Sequence, residues 1–123
     1  VIEARAGRSI ADIFTYEGEA AFRAIEADLC RELAGRGGLV IATGGGTLVD
    51  GDNRRTLASS GLVICLTADV ETILRRLDGL ADRPLLETPD RRARVGALLE
   101  AREAAYAALP HHVDTTNLTA VQV

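Results

Sequence analysis

Leu39-Val40-Ile41-Ala42-Thr43-Gly44-Gly45-Gly46 is the stretch on which the fold turns: a short apolar run, rich in β-branched residues, that ends on consecutive glycines. With Gly37-Gly38 in front of it, the run reads as a buried parallel strand, because a half-exposed antiparallel strand would alternate polar and apolar side chains. In open parallel sheets ligands bind beyond the carboxyl ends of the strands, and glycines there let the backbone approach a ligand closely. A tight turn would be satisfied by one or two glycines, so the run favours a ligand-facing loop.

Working outward, residues 19–34 carry Phe22, Ile25, Leu29 and Leu33 at helical spacing, and Gly35 and Gly37 close that helix. Ser9, with Asp12 three residues on, caps a shorter helix whose apolar face is Ile10, Ile13 and Phe14, and a loop over 15–18 joins the two. Beyond the glycines, Asp50 caps a helix over about 51–60, ended by Gly61. Residues 62–66, LVICL, read as a second buried strand. Thr67 or Asp69 then starts a helix with Val70, Ile73, Leu74 and Leu77 inward and with Arg75 and Arg76 at its carboxyl-terminal end, where the helix dipole favours cations.

Residues 78–89 form a charged loop punctuated by Gly79, Arg83-Pro84 and Pro89, long enough to suggest either a lid or a plain surface connection. Asp90 opens a helix to about residue 109 with the stripe Val95, Leu98, Leu99, Arg102, Tyr106 and Leu109. An arginine on such a stripe must snorkel or find an anion. Residues 111–115 read as a third strand, in which His111 and His112 face opposite ways and sit at the surface. Strands alternating with helices predict an α/β fold with a parallel sheet.

Composition bounds the function. The chain has 123 residues, 47% hydrophobic and 26% charged, which fits one globular domain and no disordered tract. No apolar run reaches the roughly 20 residues of a membrane span. A net charge of −4 and 3% aromatic residues argue against a nucleic-acid or anionic-membrane surface. Cys30 and Cys65 lack metal-ligand spacing and read as small buried hydrophobes in a reducing, cytoplasmic compartment, with no metal ligands expected.

The sequence contains no methionine, and all its basic residues are arginine. Residues 1–6 read as the last turns of a helix that Gly7 terminates, and Thr119 and Gln122 have capping-box spacing for a new helix. The expectation is a piece of a longer polypeptide, incomplete at both ends. Arg23 and Glu26, three apart on one helix, read from spacing alone as a solvated surface pair contributing about 0.2–0.5 kcal/mol.

Four ordered motifs resemble the shikimate kinases, small P-loop enzymes related in fold to nucleoside-monophosphate kinases. GRSIADIFTYEGEAAFRAIE resembles their shikimate-binding segment (within 7–34), ATGGG their glycine loop (43–46), DRPLL their lid (78–89), and LLEAREAAY their last substrate-facing helix. The resemblance implies a partial three-layer α/β/α P-loop kinase fold whose first strand and phosphate loop are absent from this sequence. It implies ATP- and Mg²⁺-dependent phosphorylation of the 3-hydroxyl of shikimate, in aromatic amino-acid biosynthesis.

Position by position, Arg23 matches the arginine that binds the shikimate carboxylate and Glu26 the acid that orients it. Gly44, Gly45 and Gly46 match the loop around the substrate ring, Phe14 and Phe22 its apolar wall, and Arg102 a second carboxylate-binding arginine. Arg83 matches the catalytic lid arginine over the transferring phosphate and Arg76 one that contacts the nucleotide. Planar guanidinium forks suit both carboxylate and phosphate.

The sequence departs from the family in having no phosphate-loop lysine, and in Ala104-Ala105 where the family has proline and leucine. Residues 1–123 alone are therefore expected to be inactive, and the parent a monomer or one domain of a longer aromatic-pathway polypeptide. The alternatives are a gluconate-type kinase, a kinase-like sensing domain of a regulator, or a non-functional remnant.

Overall fold

The computed structural model describes residues 1–77 and 90–123, so the predicted lid over 78–89, with Arg83, lies outside the described residues. The chain divides into two compact units, Val1–Leu62 and Val63–Val123.

The first unit is helical. Helix α1 (Ile2–Ala6) ends at Gly7, whose φ of 69° is the left-handed conformation that lets its N–H reach back to Glu3 O. Helix α2 (Ile10–Tyr16) starts where Ser9 Oγ accepts from Asp12 N at 3.1 Å, and it buries Ile13 completely. It runs to Tyr16, so the connection to helix α3 (Gly18–Ala34) is shorter than the loop expected there. Helix α4 (Gly51–Ala58) is capped by Asp50, whose carboxylate accepts from Asp52 N and Asn53 N. Helix α3 is the hub, packing against α1, α2 and α4.

The buried stripe of α3 is turned from the predicted one. Phe22, Glu26 and Cys30 are buried, while Ile25, Leu29 and Leu33 are only half-buried. Burial follows the neighbours that cover each face, and here the glycine loop covers Glu26.

Residues 39–43 correct the reading of a buried strand. They carry no strand pairing, and Leu39, Val40 and Ile41 are exposed, Val40 fully. A strand exists only where a partner ladder takes up its N–H and C=O groups, and among the described residues the only ladder belongs to the second unit.

In that unit, strand β1 (Ile64–Thr67) pairs parallel with strand β2 (His111–Asp114), Ile64 opposite His111 and Thr67 opposite Asp114. Helices α5 (Val70–Leu77) and α6 (Arg91–Ala107) lie between them in the chain, as a parallel crossover requires, and pack together. Asp69 caps α5 by accepting from Thr72 N at 2.7 Å, and Asp90 caps α6 by accepting from Ala93 N at 2.9 Å.

The predicted strand over 62–66 begins two residues later and buries only Cys65, with Leu62, Ile64 and Leu66 exposed. With the first run unpaired, the described strands are two, not three. Helix α6 buries Val95, with Leu98, Leu99, Arg102 and Tyr106 half-buried along the predicted stripe, and ends two residues before the buried Leu109. Both histidines are exposed. At the carboxyl end, Thr119 N donates to Gln122 Oε1 at 2.9 Å, yet residues 119–122 form a turn and no helix follows.

Candidate functional site

Helix α3 presents Arg23 and Glu26 to the loop at 44–47, with Phe22 beside Arg23. The two phenylalanines meet with ring centroids 4.9 Å apart, Phe14 coming from α2, and the Arg23 guanidinium carbon stands 5.2 Å from the Phe22 ring centre. Arg23 Nη1 donates to Glu26 Oε2 at 2.7 Å, while Nε and Nη2 both donate to Glu19 Oε1 at 3.3 and 3.0 Å. A guanidinium has five N–H groups, so one remains on each terminal nitrogen.

Those nitrogens lie against Gly46. A methyl group added at Gly46 would stand 2.7 Å from Nη1 and 2.8 Å from Nη2, closer than real contacts allow. At Gly44 the added carbon would meet Thr47 Oγ1 and Glu26 Oε1 at 3.5 and 3.6 Å. The loop thus approaches both members of the ion pair with bare backbone.

The pair is not the solvated surface contact that spacing suggested. Glu26 is 5% exposed and Thr47, its second partner, 3%. Thr47 Oγ1 donates to Glu26 Oε1, so both carboxylate oxygens are engaged. Burial works against the charge on Arg23, but the hydrogen bonds and charges of Glu26 and Glu19 outweigh it and push the guanidinium pKa above its already high value. Arg23 is a permanent cation.

Along the wall of the same unit, a cleft of about 570 Å³ is lined by Glu26, Cys30, Leu33, Leu57 and residues 39–44. Burial, then the Glu26 and Asp50 charges, raises the Cys30 thiol, and burial raises Cys65, so neither is a thiolate at neutral pH.

The family model for shikimate kinase matches residues 1–123. The chain belongs to the shikimate kinase family. A shikimate kinase of Pelotomaculum thermopropionicum is 44% identical over 118 residues, covering 96% of this chain and 69% of the relative. That of Geobacter sulfurreducens is 45% identical over 115 residues, covering 94% and 64%. The chain therefore spans about two thirds of the length of its curated relatives.

Among solved structures, the shikimate kinase of Acinetobacter baumannii in complex with shikimate superposes with a TM-score of 0.91 at 35% identity, covering 98% of this chain and 68% of that one. The Bacteroides thetaiotaomicron enzyme gives 0.87 at 28% identity, covering 98% and 72%. The α/β architecture with its parallel sheet is thus a partial shikimate kinase fold of the P-loop class.

Of the residues the sequence singled out, Phe14, Phe22, Arg23, Glu26, Gly44 and Gly46 come together in the first unit, and Gly45 is the exposed middle of the loop. Arg102 and Arg76 belong to the second. Arg102 is half-buried on α6 with no polar partner among the described residues. Arg76 donates to Thr115 Oγ1 at 2.9 Å, to Thr115 O, and to Leu118 O at 3.1 Å, binding the segment after β2.

Sequence reasoning missed Glu19, Thr47 and Asn53. Glu19 stands four residues before Arg23, a spacing that marks a helical ion pair. Thr47 and Asn53 gave no such signal, because their bonds depend on how the loop folds back on α3.

Proposed function

We propose that this chain is the carboxylate-binding part of a shikimate kinase, an ATP-dependent enzyme that phosphorylates the 3-hydroxyl of shikimate. The observation that carries the reading is the free edge of Arg23. Its guanidinium is held from both sides by Glu19 and Glu26, one N–H is left on each terminal nitrogen, and those nitrogens lie beside Gly46. A paired N–H edge matches a carboxylate bidentately. The ring would lie on Gly44, Gly45 and Gly46, with Phe14 and Phe22 behind it. The related A. baumannii structure, which contains shikimate, supports this ligand.

The chain's own residues do not fit ATP and Mg²⁺ unaided. A phosphate loop needs a lysine between its last glycine and its hydroxyl residue, whereas this sequence has no lysine and its glycines run straight into Thr47. No group of three His, Cys, Asp or Glu residues among the described ones is arranged for a metal. Arg83 over the transferring phosphate and Arg76 at the nucleotide remain part of the proposal, as do a cytoplasmic setting and a monomer or aromatic-pathway fusion. Among the described residues no helix is long and apolar enough to cross a membrane.

The test is shikimate-dependent ADP formation by the polypeptide translated from the gene, beside its Arg23→Ala variant. Activity is expected, with KM for shikimate raised about 100-fold in the variant, as the loss of charge-assisted hydrogen bonds implies. A folded protein that ignores shikimate, or prefers gluconate, would overturn the reading.

A further inference from the structure

The hydrogen bond from Thr47 Oγ1 to Glu26 Oε1 joins the two halves of the carboxylate pocket, because Thr47 belongs to the glycine loop and Glu26 holds Arg23. We propose that Thr47 is a positioning residue that keeps the terminal N–H edge of Arg23 free for a ligand, without touching the ligand itself. The proposal rests on the reading of Arg23 as a carboxylate binder.

The geometry makes Thr47 a fixed post. Its side chain is buried, its N–H donates to Gly44 O at 3.1 Å, and its carbonyl accepts from Asn53 Nδ2 at 3.2 Å. Asn53 is itself 4% exposed, and its backbone N–H is held by the Asp50 carboxylate. The chain Asn53, Thr47, Glu26, Arg23 therefore carries the position of α4 to the guanidinium.

The allocation of oxygens is what matters. In the structure Thr47 takes Oε1, and Arg23 meets Glu26 through one nitrogen on Oε2. Without the hydroxyl, Oε1 would be a buried acceptor lacking a partner, which is unfavourable. The donors able to answer it are the free N–H groups of Arg23. The guanidinium would turn onto Glu26 as a bidentate pair and consume the edge that a ligand needs.

The test compares Thr47→Val with Thr47→Ser. In the polypeptide translated from the gene, the valine variant should raise KM for shikimate about tenfold, as the loss of one charge-assisted hydrogen bond implies, with kcat within about twofold; serine should restore the wild-type KM. In the unliganded 123-residue chain, the Arg23 guanidinium N–H resonances should shift in the valine variant and return with serine.

That second readout needs no ligand. A wild-type chain that fails to use shikimate defeats the proposed function, while the resonances still decide the role of Thr47. Should valine prevent folding, Thr47→Ala must show the same shift. A folded valine or alanine variant with wild-type KM or unmoved Arg23 resonances overturns the proposal, as does a serine variant that fails to restore them.

Discussion

Gly46 is required by its neighbour and not by its own backbone. Positive φ values occur at Gly7, Gly18 and Gly38, so Gly46 has a conformation open to alanine. What excludes alanine is the Arg23 guanidinium, 2.7 Å from where the methyl would sit. The far end of an arginine side chain can move, so Gly46→Ala should leave the melting temperature close to wild type while driving Arg23 off its present edge. Shikimate affinity should fall at least about tenfold, a loss of roughly 1.5 kcal/mol or more, because the paired donors no longer face the loop. Isothermal titration of both proteins measures this, and undiminished affinity in the alanine variant would show that the edge at Gly46 is not where the carboxylate binds. This constraint was half-legible in the sequence. A glycine run after an apolar stretch announced close approach to something, but nothing in the run said that the something was an arginine from the preceding helix.

At the scale of elements, what the sequence revealed was local. Ser9, Asp50 and Asp90 each cap a helix as their positions predicted, and Asp69, offered beside Thr67, caps another, because a cap bonds residues two or three away. Residues 39–43 were misread because a strand depends on a partner remote in sequence, and the α3 stripe was turned because Glu26 is buried by a loop residue 21 positions on. Local bonds to carboxylates, the Asp69 cap and the turn at Asp114, also set a pH response. Hydrogen bonds from Thr72 lower the Asp69 carboxyl pKa, and those from Thr116 lower that of Asp114. A carboxyl depressed in the folded state contributes stability above its unfolded value, near 4, and that contribution is lost as pH falls through the lower folded value. Asparagine accepts such bonds, at a cap or in a turn, nearly as well as aspartate but does not titrate. The double variant Asp69→Asn, Asp114→Asn should therefore match wild type at pH 7 and lose less stability between pH 4 and 2.5. Urea titrations at those pH values would reveal it; parallel acid profiles for the two proteins would mean that these two carboxylates do not set the response.

Taken as a whole, the chain exposes the side chains that its most strand-like segments should bury. Leu39, Val40 and Ile41 lie open in the first unit, and Ile64 and Leu66 in the second, while Ile13 is the one large side chain fully buried among the described residues. Exposed apolar side chains of this kind, in each unit, are ones that other apolar groups will seek. The same fact means that these side chains contribute little to the folded state of the 123-residue chain, since substitutions at exposed positions usually change stability by less than about 0.5 kcal/mol. Threonine keeps the β-branched shape suited to extended backbone while adding a polar atom. The triple variant Val40→Thr, Ile64→Thr, Leu66→Thr should therefore unfold at nearly the wild-type urea concentration yet bind much less of a fluorescent apolar dye and self-associate less on concentration. Dye titration and sedimentation of the two proteins test this together. A triple variant that unfolds earlier by several kcal/mol would show that these side chains are packed in solution, and equal dye binding would place the sticky surface elsewhere.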